Sequence, residues 1–157
     1  MSDVAMRVLI VCSGNTCRSP LAAAILADLV ATDPALTGIS VSSAGTSARA
    51  GAPASEGSFL VALERELDLS AHAARELTAE LVKASDLILT MGAGHARQVA
   101  ELGGADRVHL LTSFAGDDGS DVPDPFGQDV SVYRETAERL ERLMARVAAR
   151  LRQGRAP

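Results

Sequence analysis

The chain has 157 residues, 47% of them hydrophobic, with a formal net charge of −5. That is enough apolar material for one core and too much for a disordered chain. The acidic balance excludes a broad nucleic-acid surface, so an anion would have to be held by a local device.

The opening MSDVAMRV has neither the apolar stretch nor the cleavage motif of a signal peptide. No apolar run approaches the ~20 residues needed to span a bilayer. The chain holds two cysteines, Cys12 and Cys17. Without a secretory signal they point to a cytoplasmic protein with reduced thiols. Aromatics make up only 3% and Trp is absent, so the core must be built mainly of Ala, Val, Leu and Ile.

A first strand is expected over Arg7–Val11. A helix should follow from about Ser19 to Val30, with Leu21, Ile25 and Leu29 on one face. Ile39–Ser43 reads as a second strand, ending in Ala-Gly and followed by the loop SARAGAPAS. Ser55–Leu67 reads as a helix with Phe59, Leu60 and Leu63 as its buried side, and Leu77–Ala84 as a shorter one. Asp86–Met91 is a third strand, His95–Leu102 a short helix and Val108–Leu111 a fourth strand. After the polar loop GDDGSDVPDPFGQD comes a last helix. Its apolar positions Tyr133, Ala137, Leu140, Met144, Val147 and Leu151 are spaced by three or four. Residues 152–157 are expected to fray.

Strands alternating with helices imply an α/β fold. The expectation is a three-layer αβα arrangement over residues 1–157, a single domain with a four-stranded parallel sheet and helices on both faces. Ligands bind such sheets beyond the carboxyl ends of the strands. The turn CSGNTCRS after the first strand and the DPFG segment after the fourth can therefore face one crevice.

The turn has the composition of an anion cradle. A loop that leaves a strand and opens a helix aims backbone N–H groups at one point, and the helix dipole adds partial positive charge there. Gly14 admits close approach, and Asn15 tolerates the left-handed conformation. Arg18 offers a planar fork for two oxygens. Pro20 suits the first helical turn. Cys12 would lie at the base, where the same N–H groups and Arg18 favour a thiolate. A thiolate beneath a bound phosphate is a nucleophile in line with phosphorus, which makes this a metal-free phosphoryl-transfer site. The GK[ST] of a nucleotide-binding loop is absent. A C-x₄-C pair and three scattered histidines do not fill a zinc site. A reversible Cys12–Cys17 bond under oxidation would switch the site off.

VCSGNTCRSPLA resembles the signature of low-molecular-weight protein-tyrosine phosphatases, V-C-x-G-N-x-C-R-S-P. The stretches SSAGT (Ser42–Thr46), SAHAAREL around His72, and DPFG (Asp124–Gly127) fit in order. The resemblance implies that Cys12 attacks phosphorus and carries a phosphocysteine. Arg18 and the amides of Ser13, Gly14, Asn15, Thr16 and Cys17 would hold the phosphoryl oxygens. Ser19 would hydrogen-bond the thiolate, and Asp124 would act as general acid and then base. Asn15, Ser43 and His72 would form a polar network supporting the loop. No cofactor is implied. The partner would be a phosphorylated protein, with the enzyme a monomer or weak dimer.

Among these phosphatases, Thr16 and DPFG resemble the bacterial protein-arginine phosphatases, whereas tyrosine-directed members usually carry Ile or Leu at Thr16 and D-P-Y-Y-G late in the chain. A hydroxyl at Thr16 makes the wall beside the phosphate polar. Phe126 is then the main aromatic at the pocket mouth. Phosphoarginine is the expected substrate residue and phosphotyrosine the alternative. Arsenate reductases of this fold pass oxidation to further cysteines, which DLILTMGAGHARQVAEL lacks. A non-catalytic phosphopeptide-binding module would have lost Cys12, Arg18 or Asp124.

Overall fold

A computed structural model describes residues 5–154. Its frame is a four-stranded sheet in which every pairing is parallel, in the order β2-β1-β3-β4. The strands are β1 (Met6–Cys12), β2 (Ile39–Gly45), β3 (Leu87–Thr90) and β4 (Val108–Leu110). The helices are α1 (Arg18–Thr32), α2 (Glu56–Leu63), α3 (Ala79–Ala84), α4 (Ala93–Val99), α5 (Leu111–Phe114) and α6 (Val130–Gly154).

The period-two alternation of β1 divides the core. Val8, Ile10 and Cys12 face one layer with Leu21, Leu26, Leu140, Met144 and Val147 of α1 and α6. Leu9 and Val11 face the other with Val82 of α3 and Val99 of α4. Both faces are covered, as expected of a parallel sheet. Burying each of the larger side chains contributes about 1.5–3 kcal/mol.

The chain runs from β1 outward to β2, then crosses back past β1 to β3. The order reverses at β1, which opens a crevice beyond its carboxyl end. Cys12 is the last residue of β1 and pairs in register with Gly45, the last of β2.

Several expectations need correction. The helix expected over Ser55–Leu67 is α2, which ends at Leu63, and Ser55 is its N-cap, accepting from Ser58 N. Its buried stripe is Ser58, Val61 and Ala62, while Leu60 and Leu63 are 42% and 48% exposed. The rotation follows from Ser58, whose hydroxyl donates to Cys17 O at 2.9 Å and turns that face inward. α3 begins at Ala79 because Thr78 caps it through Oγ1. α4 starts two residues before His95 and runs into a π-helical turn, Ala100–Gly104, that ends around Gly103 at φ 98°. A 3₁₀ turn at Pro34–Leu36, capped by Asp33, and the short α5 had no sequence counterpart. The last helix continues past Leu151 to Gly154, where Arg152 Nε lies 2.8 Å from Asp33 Oδ2. Of the segment expected to fray, residues 155–157 lie outside the described residues.

Candidate active site

Cys12 closes β1, and the loop curls through Ser13–Cys17 into α1, which opens at Arg18. Cys17 is the N-cap, yet no side chain caps this helix. Its first N–H groups are thus not taken up by a capping side chain, and the helix dipole favours negative charge at the same place.

Asn15 is the keystone of the loop. It sits at φ 56° with no exposed surface. Its Nδ2 donates to Ser19 Oγ at 2.8 Å and to Ser43 Oγ at 2.9 Å. Its Oδ1 accepts from Arg75 N at 2.9 Å, and its carbonyl meets His72 Nε2 at 2.7 Å. Strands β1 and β2 approach closely here. A Cβ on Gly45 would run into the Ser13 carbonyl oxygen and lie 2.9 Å from Asn15 N. Thr46 N and Ser47 N donate to the Cys12 and Ser13 carbonyls at 2.9 and 2.8 Å. The loop's backbone is thus held from beneath.

The Cys12 sulfur is buried and lies 2.8 Å from Ser19 Oγ. The Ser19 hydroxyl also receives a hydrogen from Asn15 Nδ2, which leaves its own proton free to be given to the sulfur. Arg18 is held by Nη1 donating to Val122 O at 2.8 Å, while its Nε is buried without a partner. Nη2 lies 3.6 Å from Asp124 Oδ2. Asp124 is half-exposed, and its Oδ1 accepts from Phe126 N at 3.1 Å.

These groups open into a cleft of about 510 Å³. Cys12, Ser13, Gly14, Thr16, Cys17 and Arg18 form its floor and walls, and Asp124 and Phe126 stand at one side. Phe126 is 68% exposed. Asn15, Ser19, Ser43 and His72 do not line the cleft. Asn15 and Ser19 are buried under it, and Ser43 and His72 support it from behind. Among the described residues, no group of three or more His, Cys, Asp and Glu is placed to hold a metal ion. No described helix is long and apolar enough to cross a membrane.

Sequence reasoning missed several contributors. Ser47, Arg49 and Ala52 line the cleft from the loop after β2. The Cys17 sulfur bonds to Ser55 Oγ at 3.2 Å and Tyr133 OH at 3.4 Å. Burial and the Cys17 hydrogen bond push the Tyr133 hydroxyl up to about 12. Tyr133 belongs to the apolar stripe of the last helix, and nothing in its spacing marks the hydroxyl. His95 meets Ser13 Oγ at 2.9 Å. Its position just past a strand end was the one available signal.

Comparison with known proteins agrees with this geometry. The model of the family described as low molecular weight phosphotyrosine protein phosphatase matches residues 7–156. The protein-arginine-phosphatase of Geobacillus stearothermophilus is 36% identical over 147 residues, 92% of this chain and 95% of that one. The low molecular weight protein-tyrosine-phosphatase PtpB of Staphylococcus haemolyticus is 36% identical over 143 residues, 90% of this chain and 97% of that one. Among solved structures, a YwlE arginine phosphatase variant with a phosphorylated active site serine superposes with a TM-score of 0.87 at 32% identity, covering 93% of this chain and 95% of that one. The chain belongs to the low molecular weight phosphotyrosine protein phosphatase family and is a cysteine phosphatase.

Proposed function

We propose that the protein hydrolyses phosphoarginine in proteins through a phosphocysteine on Cys12. In the first step the Cys12 sulfur attacks phosphorus and the P–N bond breaks. Asp124 gives its proton to the departing guanidine nitrogen. Arg18, through its unpaired Nε and its Nη2, and the amides of Ser13–Cys17 hold the three phosphoryl oxygens as charge builds. In the second step the Asp124 carboxylate takes a proton from water, the water oxygen attacks phosphorus, and the P–S bond breaks. The Ser19 hydroxyl, 2.8 Å from the sulfur, stabilises the leaving thiolate. Asn15, Ser43 and His72 keep the loop amides aimed during both steps.

The choice of phosphoarginine rests on Thr16, a residue of the loop that lines the cleft. A hydroxyl there can orient a guanidinium or the attacking water, and it removes apolar surface that a phenyl ring would use. The cleft's share of the loop after β2 is Ser47, Arg49 and Ala52, with no aromatic to stack on a phenol. Phosphotyrosine is the second reading, favoured by the exposed Phe126 ring at the mouth.

Thr16→Ile decides between them. The proposal expects its ratio of phosphoarginine to phosphotyrosine turnover to fall by about tenfold, which is ~1.4 kcal/mol of discrimination. An unchanged ratio would remove the argument from Thr16. Rapid-quench mass spectrometry should find the intermediate's phosphate on Cys12.

Oxidation offers a second handle on the same loop. Cys12 and Cys17 are both free, and a bond between them would draw Cys17 away from Ser55 and Tyr133. After prolonged peroxide a thiol reductant should then restore more activity to the parent protein than to Cys17→Ser, whose Cys12 sulfenic acid lacks a partner thiol and is oxidised further to sulfinic acid.

A further inference from the structure

One titratable side chain at the loop has no part in those steps. His95, on α4, reaches the loop from the carboxyl end of β3, and its Nε2 lies 2.9 Å from Ser13 Oγ. Its other ring nitrogen, Nδ1, is buried without a hydrogen-bond partner. Three charged groups act on the ring: Arg18 from α1, and Asp121 and Asp124 from the loop ahead of α6. A Cβ built on Gly92 would lie 3.1 Å from Asp121 Oδ2 and 3.3 Å from His95 Nδ1. The carboxylate and the ring nitrogen thus both adjoin Gly92. Asp121 is fixed there, since its Oδ1 accepts from Ala93 N at 3.0 Å.

A serine hydroxyl has one proton to give, whereas an imidazolium donates from both nitrogens. With a neutral ring accepting at Nε2, the Ser13 proton is spent on His95. With an imidazolium, Nε2–H donates to Ser13 Oγ, Nδ1–H points toward Asp121, and the Ser13 proton is released to an anion in the loop.

We propose that His95 is a positioning residue that couples oxyanion binding to proton uptake. An anion held by the Cys12–Arg18 loop draws one proton from solvent onto His95, which then turns the Ser13 hydroxyl toward that anion. The inference rests on the loop being the oxyanion site. In the free protein, burial and the Arg18 charge hold the imidazole below its ordinary range, against Asp121 and Asp124. A bound dianion offsets the Arg18 charge and so reverses part of that effect.

Sulfate is the probe, because it remains a dianion across the range and requires no turnover. Binding would be measured by calorimetry from pH 5 to 8 in Cys12→Ser, which removes the nucleophilic thiol, with and without His95→Gln. Histidine ring resonances would be followed by NMR, assigned with His72→Asn and His109→Asn. The His95 midpoint should rise by about one pH unit on saturation. Sulfate affinity should gain about tenfold more between pH 8 and pH 5 in Cys12→Ser than in the double variant. A midpoint unmoved by bound sulfate, or the same pH slope in both proteins, would overturn the proposal while leaving the oxyanion loop intact. No sulfate binding at any pH would overturn both. Should His95→Gln fail to fold, the NMR midpoint decides alone.

Discussion

Asn15 does three things with one side chain. It tolerates φ 56°, it donates to the Ser19 hydroxyl that meets Cys12, and it ties the loop to β2 and to the Arg75 backbone. Asn15→Ala keeps the backbone position but leaves those partners unpaired and adds left-handed strain. Its expected cost is about 2–4 kcal/mol, read from denaturant unfolding. Turnover should fall with it, because Ser19 loses its orientation. Tyr133 makes a different prediction. Its hydroxyl is raised to about 12, above the ordinary value of 10.0, so the folded state keeps a proton that the unfolded state gives up. Its contribution to stability is complete below pH 10 and declines as pH rises toward 12. Alkaline unfolding should therefore be shallower in Tyr133→Phe, and an identical alkaline slope in that variant would refute this reading.

At the scale of elements, the close meeting of β1 and β2 sets the loop. Gly45 has room for no side chain, because the obstacle is the backbone of Ser13 and Asn15. Gly45→Ala should lower stability by about 1–3 kcal/mol. It should also lower kcat more than it raises KM, since the loop amides would be displaced from their aim. Assays of both constants on a small aryl phosphate test this. Strands and long helices were legible because their periodicity is strong: β1 alternates across two cores, and α6 buries Tyr133, Ala137, Leu140, Met144, Val147 and Leu151 as spaced. The short elements were not. In α2, Phe59 does pack against the core, but a hydrogen bond from Ser58 to the Cys17 carbonyl and the packing of Gly57 on the Tyr133 ring turn Leu60 and Leu63 toward solvent. A polar contact of that kind leaves no trace in apolar spacing.

For the molecule as a whole, the site is assembled from segments that the doubly flanked parallel sheet brings to one edge. That the Cys12–Arg18 turn and Asp124 share one cleft was readable, because both segments follow strands whose carboxyl ends meet at one edge of the sheet. Arg18's anchor on the Val122 carbonyl and the Tyr133 contact to Cys17 were not, because each joins residues more than 100 apart in sequence. Acid stability is also a property of the whole. His95 and His109 both lie below the ordinary histidine value of 6.5, chiefly through burial. The unfolded chain therefore binds protons first. Stability is complete above pH 6.5 and is lost as pH falls from there through the folded midpoints. The denaturation midpoint should drop between pH 7.5 and 5, and His95→Gln with His109→Gln should flatten that slope.

The most direct test of the catalytic account is a steady-state comparison of the parent protein and Cys12→Ser on matched peptides bearing phosphoarginine or phosphotyrosine, at neutral pH under reducing conditions. The account predicts faster turnover of the phosphoarginine peptide and loss of both activities in Cys12→Ser. Faster turnover of phosphotyrosine would contradict the assignment of Thr16, and activity persisting in Cys12→Ser would contradict the phosphocysteine mechanism.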